Sequence, residues 1–159
     1  MKTEEIKETQ EKLLALLPLW NYRIAKPFKQ LLDEGISLEM YYFLQTLRWL
    51  GGTMVMSELA PYVQMQKQQM TKIVNRLVEL EFIKRIYDTT DRRMIKLQIT
   101  DKALEYIDYF LKEDAGCFRQ MLEGMNETEL CDFKKAMDIL IRVLPELPCD
   151  RKETVRQEE

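Results

Sequence analysis

One amphipathic segment constrains this chain more than any other. On a helical wheel of about 100° per residue, residues 66–81 gather Met70, Ile73, Val74, Leu77 and Leu80 on one face. Gln68, Lys72, Asn75 and Glu79 fall opposite, flanked by Gln69, Thr71 and Arg76. A helix divided in this way buries one stripe and presents the other outward. The period then changes. Ile83–Tyr87 and Met94–Ile99 alternate as strands, and Asp88–Arg93 turns between them. A helix feeding directly into a hairpin sets the centre of the fold.

The flanks read as helices. Residues 4–32 carry apolar positions at Ile6, Leu13, Leu16, Leu17, Trp20 and Ile24, with Pro18 and Pro27 inside the pattern. Each proline removes a backbone donor and crowds the preceding turn, so a kink or a split is expected. Asp33-Glu34-Gly35 stops the segment. Ser37 then caps a helix running through Tyr41, Phe43, Leu44, Leu47 and Leu50 to Gly51-Gly52. Thr53–Met56 is long enough only for a minor strand. Ser57 is an N-cap candidate for a short helix over Glu58–Val63. Thr100 and Asp101 open a helix expected to reach about Glu123, ended by Gly124. Asn126 with Glu129 forms a capping-box pattern for a last helix to Leu144, stopped by Pro145 and Pro148. Residues 149–159 read as a loose polar tail. The expected class is mainly α with a small β-hairpin.

Composition narrows the chemistry. Histidine is absent, which excludes Ser-His-Asp and Cys-His catalysis and removes the commonest metal ligand. No nucleophile–base pair or carboxylate cluster stands out, so neither an enzyme, a metal site nor a cofactor is expected. Cys117, Cys131 and Cys149 are widely spaced and odd in number, which fits neither a disulfide framework nor a zinc knuckle. No apolar run is long enough for a membrane span, and the charged start MKTEEIKETQEK is unlike a secretion signal. A cytoplasmic location is expected.

The net charge of −3 hides an asymmetry. Residues 1–56 balance, with seven basic and seven acidic side chains. Residues 57–100 hold eight basic and five acidic, and residues 101–159 hold nine basic and fifteen acidic. No acidic residue lies between Glu58 and Glu79. Cation is thus concentrated where the amphipathic helix and hairpin lie. Gln and Asn pair bidentately with adenine, Lys and Arg with guanine, and Thr packs on the thymine methyl. The outward face of 66–81 therefore has the chemistry of a major-groove reader, although a solvated helix surface has the same look. The hairpin tip, Asp88-Thr89-Thr90-Asp91-Arg92-Arg93, adds two arginines of the kind that enter a narrow minor groove. Asp91 is near enough to orient one guanidinium. The bland alternative is a soluble turn with a surface ion pair.

The stretch from Ser57 to Ile107 resembles the MarR family of winged-helix regulators. The resemblance lies in S-E-L-A at the start of the first motif helix, M-T-K-I-V-N-R-L in the second, I-K-R before the hairpin, Asp91-Arg92-Arg93 in the wing, and I-T-D-K after it. It continues more weakly over residues 28–56. The chain departs from the family at Glu81, where a glycine usually follows the second helix, and at Gln66-Lys67-Gln68-Gln69, where Ser and Thr are usual.

The resemblance implies one domain over 1–159. Residues 36–100 would form a winged helix-turn-helix lobe that binds double-stranded DNA, and 1–35 with 101–148 a helical dimerisation region. It implies a homodimer on a pseudo-palindromic operator, most simply as a repressor. Base-reading candidates are Gln66, Gln68, Gln69, Thr71, Lys72 and Asn75, with Lys67 and Arg76 on phosphates. In the wing, Arg92 and Arg93 would meet DNA, with Asp91 orienting Arg93. An aromatic or anionic effector is implied in a cleft that Trp20, Tyr22, Arg23, Tyr41, Tyr42, Arg48 and Trp49 are placed to line, although large aromatics more often fill cores. The rival reading is a winged-helix protein–protein adaptor that does not bind DNA.

Overall fold

The computed structural model describes residues 2–112 and 116–146. The chain divides into two compact units, Met1–Phe118 and Arg119–Glu159. The expected polar tail, Pro148 and Cys149 lie outside the described residues, as does the side chain of Cys117. No helix among the described residues is long and apolar enough to cross a membrane.

The first unit begins with α1, Lys2–Trp20, in which Pro18 is accommodated. It does not break at Pro27. Instead, Asn21–Ala25 widens into a π-turn, with the Lys26 N–H bonded to the Asn21 carbonyl, and α2, Lys26–Lys29, follows. A π-turn relieves the clash between the Pro27 ring and the turn before it. The segment is therefore one path with a local widening.

Helix α3, Leu38–Trp49, starts on Ser37, whose Oγ accepts from the Met40 N–H at 3.1 Å. Its end is a Schellman turn. The Gly51 N–H donates to the Arg48 carbonyl at 3.1 Å and the Gly52 N–H to the Leu47 carbonyl at 2.8 Å, with both glycines at positive φ. The chain leaves as β1, Thr53–Val55, and passes straight into α4, Met56–Val63. Ser57 is thus not the N-cap. Pairing of Thr53–Val55 with Gln98–Lys96 holds β1 extended to its last residue, and Val55 becomes the cap without a side-chain bond.

Helix α5 covers Lys67–Glu79. Strands β2, Ile83–Tyr87, and β3, Ile95–Ile99, form the hairpin, and β1 joins the far edge of β3 to give the order β1-β3-β2, all antiparallel. Helix α6, Asp101–Tyr109, starts on Thr100, whose Oγ1 accepts from the Ala103 N–H.

The helix expected to reach Glu123 ends at Tyr109. Phe110, Leu111 and Lys112 bond three residues back instead of four. The Phe110 ring is fixed against Phe28, Tyr41 and Tyr106 at centroid distances of 4.9, 5.7 and 5.3 Å. A separate helix α7, Cys117–Glu123, follows.

The core of the first unit is made mainly by one face each of α3, α4, α5, β2 and β3. Phe43, Leu44 and Leu47 from α3, Leu59 from α4, Val74 and Leu77 from α5, Ile83 from β2 and Leu97 from β3 are fully buried. No charged or polar residue is buried among the described residues. The second unit carries α8, Glu127–Val143, opened by the reciprocal Asn126–Glu129 capping box at 2.9 Å in both directions.

Candidate nucleic-acid interface

Helix α5 buries Met70, Ile73, Val74 and Leu77. That leaves Gln66, Lys67, Gln68, Gln69, Thr71, Lys72, Asn75 and Arg76 exposed. The turn before it, Gln64–Gln66, reverses the chain through Gln64 at φ +47°. Gln66 caps α5 without any side-chain bond. The first-turn N–H groups therefore lack the internal acceptor that Ser37, Thr100 and Asn126 supply to their own helices, and are left for solvent or an anion.

Three of the eight exposed side chains are already engaged. The Thr71 hydroxyl donates to the Lys67 carbonyl at 2.9 Å, which satisfies the polar atom and leaves the methyl to make contacts. Arg76 pairs with Glu79 at 3.1 Å, one turn along the same helix. Both partners are about half exposed or more, so the pair is worth ~0–1 kcal/mol and yields readily to a phosphate. Asn75 accepts a short hydrogen bond on Oδ1 from Arg85 Nη2.

Arg85 carries no role in the sequence pattern alone. It lies on β2 with Ile83 and Tyr87, in register with buried Leu97. Period-2 alternation puts it on the inward face. A cation at an inward strand position is the signal that it holds something, and what it holds is Asn75 on the exposed face of α5.

The wing is a pair of Asx turns. Asp88 Oδ1 accepts from the Thr90 N–H at 2.9 Å and from its hydroxyl at 2.8 Å. These bonds hold the Asp88 carboxyl below the usual carboxylate range. Asp91 Oδ1 accepts from the Arg93 backbone N–H at 2.9 Å, and the Asp91 carbonyl accepts from the Met94 N–H at 3.0 Å. Asp91 thus shapes the backbone that carries Arg93, because a carboxylate two residues away reaches the N–H readily. Among the described residues neither Arg92 nor Arg93 has an ion-pair partner.

The end of α5 shows what replaces the missing glycine. Glu81 itself takes φ +61°. The Glu81 N–H donates to the Val78 carbonyl at 3.0 Å and the Phe82 N–H to the Leu77 carbonyl at 2.9 Å, the same turn that ends α3. Lys102 closes it, with Nζ 3.0 Å from the Leu80 carbonyl and 3.3 Å from Glu81 Oε2. A cation at a helix C-terminus is favoured by the helix dipole.

Residues 36–95 match the sequence model of the MarR family. That match covers the winged-helix lobe, 60 of the chain's 159 residues. YpoP of Bacillus subtilis, an uncharacterised HTH-type transcriptional regulator, is 27% identical over 108 residues, covering 68% of this chain and 76% of YpoP. The crystal structure of RV1404 from Mycobacterium tuberculosis superposes with a TM-score of 0.69 at 21% identity, covering 92% of this chain and 97% of that one. A mutant MarR from E. coli complexed with operator DNA superposes at 0.59 and 15% identity, covering 82% and 94%. These structural likenesses show the MarR winged-helix fold.

The seven residues named for an effector lie in different settings. Tyr41 packs edge-on against Phe28 at 4.6 Å, and its hydroxyl accepts from Gln45 Nε2 at 2.7 Å. Burial raises its pKa above the usual phenol value. Arg48 pairs with Asp108 at 2.7 Å. Trp20, Tyr22, Arg23, Tyr42 and Trp49 are exposed.

Proposed function

We propose that this chain is a MarR-family regulator, a cytoplasmic, sequence-specific double-stranded DNA-binding protein that acts as a homodimeric, ligand-responsive repressor on a pseudo-palindromic operator. One observation carries the DNA reading. An exposed Gln/Lys/Asn face, with an uncapped helix N-terminus, stands beside a wing whose two arginines have no ion-pair partner among the described residues. Such free cations and open N–H groups are the groups that phosphate and base edges satisfy. In this reading Gln66, Gln68, Gln69, Thr71, Lys72 and Asn75 face the major groove. Lys67 and Arg76 lie on phosphates, and Arg92 and Arg93 reach the minor groove. That the E. coli MarR of the same fold is complexed with operator DNA supports it.

The homodimer reading is supported by apolar surface. In the first unit α1 exposes Leu13, Leu14, Leu17 and Leu19 at 50% or more of their area, and no residue of α1 is buried. In the second unit Ile139, Ile141 and Leu144 are exposed to a similar extent. Exposed apolar side chains clustered on a helix mark association. A twofold pair of recognition helices reads half-sites about one helical turn apart. Exposed Trp20, Tyr22, Arg23, Tyr42 and Trp49, with Tyr41 and Arg48, offer rings and cations to an aromatic or anionic effector.

The test is selection of bound duplexes from a random pool by the purified protein. The reading predicts enrichment of an imperfect palindrome. A pool that stays random over successive rounds refutes it and favours the protein–protein adaptor.

A further inference from the structure

Arg85 is a cation without a carboxylate. It is half-buried on β2, and no ion pair among the described residues includes it. Its Nη2 donates instead to the amide oxygen of Asn75 on α5. Glu79, the nearest acid along that helix, is taken by Arg76. Chemistry fixes which end of the amide Arg85 meets, because a guanidinium has donors and no acceptor. The other end, Asn75 Nδ2, makes no hydrogen bond among the described residues, and Asn75 is exposed. This division of the amide matters for base reading. Asparagine reads adenine with both ends, the oxygen accepting from N6–H and the nitrogen donating to N7. Arg85 engages the oxygen in a charge-assisted bond, stronger than a neutral one. The oxygen keeps a second lone pair, but a cation already draws on its electron density, so it accepts from N6–H more weakly. The nitrogen end is left as a donor. Guanine sets two acceptors, N7 and O6, side by side on its major-groove edge, whereas adenine sets a donor beside N7.

Resting on the DNA-binding reading above, we propose that Arg85 is a positioning residue that makes Asn75 a donor-only reader, so that Asn75 selects guanine over adenine at one base pair of each half-site. Arg85 touches no base in this account. It acts through the Asn75 oxygen, and polarisation along the line from guanidinium to amide to base strengthens the outer bond. Base preference at that pair is thus set by a residue on the strand, outside the helix that reads it.

The test is selection from a random duplex pool by the full chain as wild type, Asn75→Ala, Arg85→Met and Arg85→Lys. The base pair at which Asn75→Ala loses its preference marks what Asn75 reads. The wild type selects guanine there, about tenfold over adenine. Arg85→Met frees the oxygen and turns that position to adenine, with the other positions unchanged. Arg85→Lys still donates to the oxygen and keeps guanine. A second measurement needs no Arg85 variant and decides the matter if Arg85→Met does not fold. Replacing that guanine with 7-deazaguanine removes the N7 acceptor and weakens wild-type binding about fivefold, whereas Asn75→Ala binds both duplexes alike. Adenine selected there by the wild type, guanine retained by Arg85→Met, wild-type indifference to 7-deazaguanine, or an Asn75→Ala protein that selects the wild-type site unchanged overturns this inference and leaves the DNA reading intact. A wild-type pool that stays random overturns the DNA reading and this inference with it.

Discussion

Replacing Glu81 with glycine should stabilise the chain relative to alanine at the same position. Glu81 holds φ +61° at the point where α5 turns into β2. The left-handed conformation costs an L-residue roughly 1–2 kcal/mol, and Glu81→Gly removes that cost. Two terms oppose the gain. Glycine widens the unfolded ensemble, at about 0.4–1 kcal/mol. The Lys102–Glu81 pair is lost, but with side chains 56% and 80% exposed it contributes at most ~1 kcal/mol. Glu81→Gly therefore falls between about 1 kcal/mol less stable and about 1.6 kcal/mol more stable than the native chain. Glu81→Ala keeps the strain and loses the same pair, so it falls between neutral and about 1 kcal/mol less stable. The ion pair cancels between the two variants, which leaves a glycine advantage of about 1 kcal/mol over alanine. Urea unfolding followed by far-UV circular dichroism, at one fixed protein concentration, measures it. An alanine variant as stable as the glycine variant, or more so, would refute the strained-turn account.

Two other outcomes follow from the fold and the wing. Leu97→Ala removes a fully buried side chain from the middle strand and is expected to lower unfolding stability by about 2–5 kcal/mol. A loss under 1 kcal/mol by the same urea assay would show that the site collapses or is not core. The Asp88 carboxyl is held below its ordinary value of 3.8 by the Thr90 N–H and hydroxyl. Its folded pKa is depressed, so its contribution is present above 3.8 and is lost as pH falls through the lower, folded value. The Thr90 amide resonance should be constant at higher pH and move only below that point, and Asp88→Asn should abolish the step.

The parts of this molecule that repeat with a fixed period were readable from residues alone. The 3.6-residue spacing names Met70, Ile73, Val74, Leu77 and Leu80; the first four are buried and Leu80 is partly buried. Period-2 alternation bounded β2 at Ile83–Tyr87, the residues the structure shows. Local caps at Ser37, Thr100 and Asn126 were equally legible, because a cap needs only its own next three residues.

What escaped depends on contacts between distant residues. Ser57 has the composition of a cap, but pairing of β1 with β3 keeps the chain extended through Val55 and starts α4 early. No local pattern around Tyr109 reports that Phe110 is held by Phe28, more than eighty residues earlier. Arg85 meets Asn75 across the turn between helix and hairpin, a contact visible only once the strand's inward face is known. Asp91 was close enough to Arg93 to serve either its guanidinium or its backbone, and only the folded turn shows the backbone bond.

The central claim is that α5 and the wing together bind DNA, and the salt dependence of binding tests it most directly. The affinity of the wild-type protein and of Arg93→Ala for a selected duplex would be measured across a range of salt concentrations. Each phosphate-neutralising cation contributes about 0.9 to the slope of log affinity against log salt. The account predicts a steep wild-type slope, with Arg93→Ala weaker and shallower by about one unit. An Arg93→Ala protein with unchanged affinity and unchanged slope would contradict it.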